Sequence, residues 1–80
     1  MAATHKRFLD VLESKSYEGL RIVRYGRECC LVVTTGGEDH CFVTREGKRA
    51  TYRHAWQIRE WLQESFGIDA DAVPVESIKQ

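Results

Sequence analysis

Cys29, Cys30 and Cys41, with His40 beside the last of them, are the residues of this chain whose types could hold a metal or supply a nucleophile. They fall in the runs ECCLVVTT and DHCFVTR, whose β-branched and aromatic content reads as strand. Adjacent strand residues point to opposite faces, so Cys29 and Cys30 cannot share one ion, and neither can His40 and Cys41. Only Cys30 and Cys41 share a face, as diagonal neighbours, and two ligands do not make a structural zinc site. The cysteines therefore read as small buried apolar side chains, with no metal and no cofactor expected. A Cys29–His40 nucleophile pair would lie diagonally across the other face, and no third group is marked to orient it. Gly36-Gly37 sits between strands with no helix behind it, so it is not a phosphate loop. His54, on a helix flank, reads as a boundary histidine. The chain reads as a non-enzyme.

What remains is a basic and aromatic combination. Residues 44–59 carry Arg45, Lys48, Arg49, Arg53 and Arg59 against Glu46, and residues 60–80 carry Glu60, Glu64, Asp69, Asp71 and Glu76 against Lys79. The local balances are 5 − 1 = +4 and 1 − 5 = −4, so the blocks either neutralise each other in space or give the molecule two poles. The candidate binding residues are Arg21, Tyr25, Arg45, Lys48, Arg49, Tyr52, Arg53 and Trp56: aromatics able to stack bases and cations able to meet phosphates. The same arginines could simply cap a sheet edge.

The elements that must position these residues start with the stretch Thr51 to Phe66, which predicts a helix capped by Thr51 and stopped by Gly67. At 100° per residue, Ala55, Trp61, Leu62 and Phe66 fall on the side of Ile58, while Trp56 falls nearly opposite, beside Tyr52, Arg59 and Gln63. Trp56 is expected under a C-terminal tail, residues 68–80, that carries Val73, Pro74 and Val75; the alternative is an exposed aromatic used for a partner. Arg53 in the first turn, with Lys48 and Arg49 nearby, suggests an anion-binding corner. A shorter helix, capped by Thr4, is expected to run to about Lys15, with Phe8, Leu9, Val11 and Leu12 on one side.

Between the helices the period changes to that of strands. Gly26-Arg27 and Gly36-Gly37 separate three runs as hairpin turns, and Glu46-Gly47 could turn a fourth strand, Lys48 to Thr51. Two-residue turns set Ile22 opposite Leu31 and Val32 opposite Cys41. One face then shows Leu20, Ile22, Cys29, Leu31, Val33, His40 and Phe42, a core for the long helix to cover. The second shows Arg21, Val23, Tyr25, Cys30, Val32, Thr34, Cys41, Val43 and Arg45, with Tyr52 and Lys48 joining if the fourth strand forms. The expected fold is α+β: an antiparallel meander of three to four strands between an N-terminal and a longer C-terminal helix. Its strand-strand-strand-helix order is similar in outline to small DNA-binding domains of the integrase-arm type, which read DNA with a sheet.

Eighty residues make one domain, with room for one core and no large cleft beside it. No apolar run is long enough to span a membrane, and the N-terminus lacks the apolar centre of a signal peptide. An odd number of cysteines then points to free thiols in a cytoplasmic setting. Two functions are expected. The first is a soluble, non-catalytic interaction domain that binds a protein partner or forms a homodimer, through the second sheet face or through Trp56 with Tyr52. The alternative is a nucleic-acid-binding module built on residues 44–59, which the local +4 favours and the net charge of zero opposes.

Overall fold

The Thr4 hydroxyl accepts from the Arg7 amide at 3.2 Å and so starts α1 (His5–Ser14). The computed structural model describes residues 4–78. Lys15 ends the helix in the left-handed conformation, and the chain turns into three consecutive strands, β1 (Gly19–Tyr25), β2 (Glu28–Thr35) and β3 (Glu38–Cys41). Gly26 and Gly36 adopt φ of 64° and 59°, the positive values that such tight hairpin turns require. The register is the one the turns dictate: Ile22 faces Leu31, Val23 faces Cys30, and Val32 faces Cys41.

The sheet is mixed, which corrects the expectation of an antiparallel meander. Its order is β3-β2-β1-β4, and β4 (Val75–Ile78) lies parallel to β1, pairing Ile22 with Val75 and Val23 with Glu76. The segment read as a tail thus contributes a strand and two core residues, Ile68 and Val73, joined by a 3₁₀ turn at Ala70–Ala72. Arg59 holds this segment down, donating from Nη2 to the Val73 carbonyl at 2.8 Å.

The expected fourth strand over residues 48–51 is replaced by an excursion. After Phe42, whose amide donates to the Leu31 carbonyl, the chain leaves the sheet at Val43, folds back so that Val43 faces Arg49, and returns to pair Tyr52 with Cys29. The Tyr52 amide and carbonyl both bond to Cys29, at 2.8 and 2.7 Å, so residues 50–52 are held extended. The long helix therefore cannot begin at Thr51. It runs as α2 (Ala55–Phe66), where Gln57 Oε1 accepts from the His54 amide, and ends on Gly67 at φ 67°. Tyr52 and Arg53, expected within the helix, precede it.

Both helices lie on one face of the sheet. Phe8 and Leu12 of α1 and Ile58 and Leu62 of α2 meet Leu20, Ile22, Cys29, Leu31, Val33 and Phe42, and all are buried. Trp61 packs edge-on between Phe42 and Phe66, with ring centroids 5.3 Å from each. Val43 and Tyr52 also pack against this core, not on the second face where the sequence placed them, because the excursion breaks the strand alternation at residue 43.

Candidate functional site

Among the described residues no helix or strand covers the second sheet face. Its centre is a small cluster of Val23, Cys30 and Val32, with Tyr25 and Cys41 packed against it. These three central side chains are nevertheless nearly closed to solvent, at 6%, 1% and 5% exposure. What covers them is a pair of long side chains that cross β2 from opposite edges. Arg49, coming from the excursion beside β2, reaches Tyr25 on β1, where Nη1 donates to the phenol oxygen at 2.8 Å and the guanidinium carbon stands 5.6 Å from the ring centre. Arg21, on β1, reaches Asp39 on β3, with Nη2 donating to Oδ2 at 2.9 Å. Its buried Nε also lies 3.1 Å from Glu76 Oε2 on β4, a charge contact without hydrogen-bond alignment.

Between these crossings lies a depression of about 320 Å³, lined by the central apolar residues, Tyr25 and Cys41, with Arg49 at one end and the Arg21–Asp39 pair at the other. The bonds from Arg21 and from the Thr34 hydroxyl hold the Asp39 pKa down to about 2, so the carboxylate stays charged at any physiological pH. The same contact raises Arg21, and the bond to Tyr25 raises Arg49. Burial pushes the Cys30 thiol up.

Cys29 and His40 do not approach each other. His40 faces Val33, and Cys29 lies four residues along β2 from it, roughly 13 Å at ~3.3 Å per residue. His40 instead approaches Glu38 at 3.6 Å. His5 Nδ1 sits 2.9 Å from the Val43 carbonyl, and His54 stacks on Trp56. Among the described residues no three metal-ligating side chains come together. A larger cleft of about 770 Å³ opens between α1 and the far end of β2 and β3, lined mainly by Phe8, Val11 and Val33 with Arg7, Glu38 and His40.

The expected site residues do not form one cluster, and Arg53 lies just before α2. Arg21, Tyr25 and Arg49 meet on the second face, as the strand pattern implied for the first two. Arg45 and Lys48 sit on the exposed turn of the excursion, where the Thr44 amide donates to the Lys48 carbonyl. Tyr52 is half-buried against the core, so it does not join Tyr25, and its phenol is raised by that burial. Trp56 is 59% exposed, stacked on His54 at 6.0 Å between ring centres. The described part of the C-terminal segment does not cover it: Val73 is buried in the core and Val75–Ile78 pair with β1.

Two functional candidates escaped the sequence reading, Arg24 and Arg27. Arg27 is in the β1–β2 turn, and Arg24 pairs with Cys29, whose other neighbour is Tyr52; Arg53 follows directly. The turn, the excursion and the start of α2 thus converge at one end of the sheet. Arg24, Arg27 and Arg53 are exposed there, Arg24 on the helix-covered face beside Cys29 and Arg49 across the sheet on the open face, and Glu28 is the acid on the adjoining strand end. Glu38 and Asp39 lie in the turn region at the opposite end. Among the described residues no ion pair joins the basic segment 44–59 to the acidic segment 60–78. The signal that could have found Arg24 and Arg27 was the register itself, extended to Tyr52. Comparison with protein-family models and with curated proteins finds no match for the chain.

Proposed function

We propose that this chain is a non-catalytic binding domain that engages a nucleic acid through the basic end of its sheet. The observation that carries the reading is that Arg24 and Arg27 of the β1–β2 hairpin and Arg53, next to the Tyr52–Cys29 bridge, are all exposed at that end. Arginines there, with no carboxylate bridging them among the described residues, make a local cationic surface on a chain whose net charge is zero. α2 begins two residues after Arg53, so the positive end of its dipole lies beside that arginine. The apolar side chains of the open face are already shielded by Arg21 and Arg49, which leaves little apolar area to drive a self-associated dimer.

Arginine contacts to phosphates release counterions, so binding weakens with salt. The test is fluorescence anisotropy with a short mixed-sequence DNA over a salt series, for the intact chain and for Arg24→Ala/Arg27→Ala/Arg53→Ala. These residues are exposed, so the variant keeps its fold. The slope of log affinity against log salt falls by roughly 0.7 to 0.9 for each phosphate contact removed. Absence of binding by the intact chain at low salt refutes the reading.

A second reading, a protein partner or a second copy of the chain, is supported by Trp56 and by Val75 on the edge strand β4, the two exposed large apolar side chains among the described residues, at 59% and 40%. Sedimentation of the free protein tests the second copy.

A further inference from the structure

Trp56 deepens the nucleic-acid reading, and its role rests on that reading. We propose that its indole is a stacking seat for one unpaired base, which makes the domain selective for single-stranded nucleic acid.

Trp56 is the second residue of α2, and it stands away from the core because Ile58, two positions on, is buried beneath the helix. Side chains of a helix lean towards its N-terminus, so the ring lies over the start of α2 rather than along its length. There it stacks on His54, within 13° of parallel and at 6.0 Å between ring centres. The Gln57 side chain accepts from the His54 amide at 3.1 Å and holds that residue in place. The indole is thus oriented by a contact on one face, and at 59% exposure more than half of its surface stays open. A flat aromatic surface fixed in this way is what an unpaired base stacks on.

The flanks carry the charge that a phosphate needs. Arg53 is exposed three residues before Trp56. Tyr52, next to it, pairs with Cys29, and Cys29 pairs with Arg24, so these three stand in one row across neighbouring strands. At ~4.8 Å between strands, the Arg24 backbone lies roughly 10 Å from that of Tyr52. Arg24 is on the face of the sheet that α2 covers, and Arg27 is in the turn beyond it. Among the described residues no ion pair involves Arg24, Arg27 or Arg53. Glu60, one turn along α2 from Trp56, is exposed on the other side of the ring. A strand seated on the indole therefore runs towards the arginines and not along the helix.

The selectivity follows from access. A base within a duplex has both faces covered by its neighbours, whereas a base of a single strand reaches the indole without breaking a pair. Every base has a face to stack, so the seat is tolerant of sequence.

The test compares a short fluorescein-labelled single strand, the same sequence as a duplex, and inorganic polyphosphate as a competitor, with Trp56→Ala and Trp56→Phe. The single strand binds roughly tenfold tighter than the duplex; Trp56→Ala removes about that factor for the single strand alone, and Trp56→Phe retains most of it. If Trp56→Ala fails to fold, Trp56→Leu, which keeps apolar volume without a ring, takes its place. The unlabelled single strand also quenches the Trp56 emission, read as the difference between the intact chain and Trp56→Phe, and polyphosphate does not. Equal affinity for strand and duplex, a Trp56→Ala loss shared by all three probes, or Trp56 emission unmoved by a bound single strand overturns the seat and leaves the phosphate surface standing. Emission that shifts with protein concentration alone assigns the indole to a second copy and likewise overturns the seat. No binding to any probe overturns the phosphate surface and the seat together.

Discussion

Val73→Ala distinguishes a docked C-terminal segment from a tail, because Val73 and Val75 lie two residues apart in that segment with opposite surroundings. Val73 is 0% exposed beneath α2 and beside β1, and Val75 is 40% exposed on the edge strand. Truncating Val73 removes two methyl groups from the core, worth ~1.6 kcal/mol at ~0.8 kcal/mol per group. The void left behind, roughly 40 Å³ if the surroundings stay put, adds ~1 kcal/mol at ~24 cal/mol per Å³. The sum, about 2.5 kcal/mol, is a large share of the roughly 4–12 kcal/mol typical of a domain of this length. It corresponds to a fall in Tm of roughly 10–20 °C. Val75→Ala, by contrast, stays within about 0.5 kcal/mol, as exposed positions do. Urea unfolding followed by far-ultraviolet circular dichroism measures both. A Val73→Ala variant within about 0.5 kcal/mol of the parent refutes the docking and, with it, the parallel pairing of β4 on β1.

Two further predictions concern the exposed groups. Acrylamide quenches the emission of Trp56 and leaves that of Trp61, packed between Phe42 and Phe66, largely protected; Trp56→Phe removes the quenchable component, and persistence of strong quenching in that variant contradicts the placement. The Asp39 carboxyl, with a folded pKa of about 2 against an ordinary 3.8, contributes stability that is fully present above the ordinary value and is lost as pH falls through 2. A carbon-detected NMR titration of Asp39 shows that midpoint, and Arg21→Gln returns it towards 3.8; an unmoved midpoint shows that Arg21 is not the cause.

The parts of the fold legible in the sequence are those set by local rules. Tight turns at Gly26 and Gly36 fix the pairing of β1 with β2 and of β2 with β3, and alternation then assigns each side chain to a face. For the same reason Arg21 and Tyr25 were placed correctly on the open face. Thr4 and Gly67 mark a helix start and a helix end because their side chain and backbone serve the helix termini directly. Alternation failed at Val43, where the excursion leaves the sheet, and everything extrapolated past it failed too. Tyr52 went to the wrong face and α2 began too early, because two backbone bonds to Cys29 outweigh the weak helical preference of residues 51–54.

Residues far apart in the chain were beyond that reach. The short segment at Val75 carries too little pattern to announce a strand, and its partner on β1 lies some fifty residues earlier. The meeting of Arg21 with Asp39 and Glu76 depends on that pairing. So does the location of Trp56, left uncovered because Val73 is spent on the core. By itself, then, the sequence determined two helices, three strands, their register and the faces of residues 20–42, since each follows from neighbours within a few residues. The tertiary structure alone decided that both helices take the same face, that the C-terminal segment pairs in parallel, and that Arg53 comes to the same end of the sheet as Arg24 and Arg27, because those outcomes depend on contacts whose energy exists only once the chain has closed its long loops.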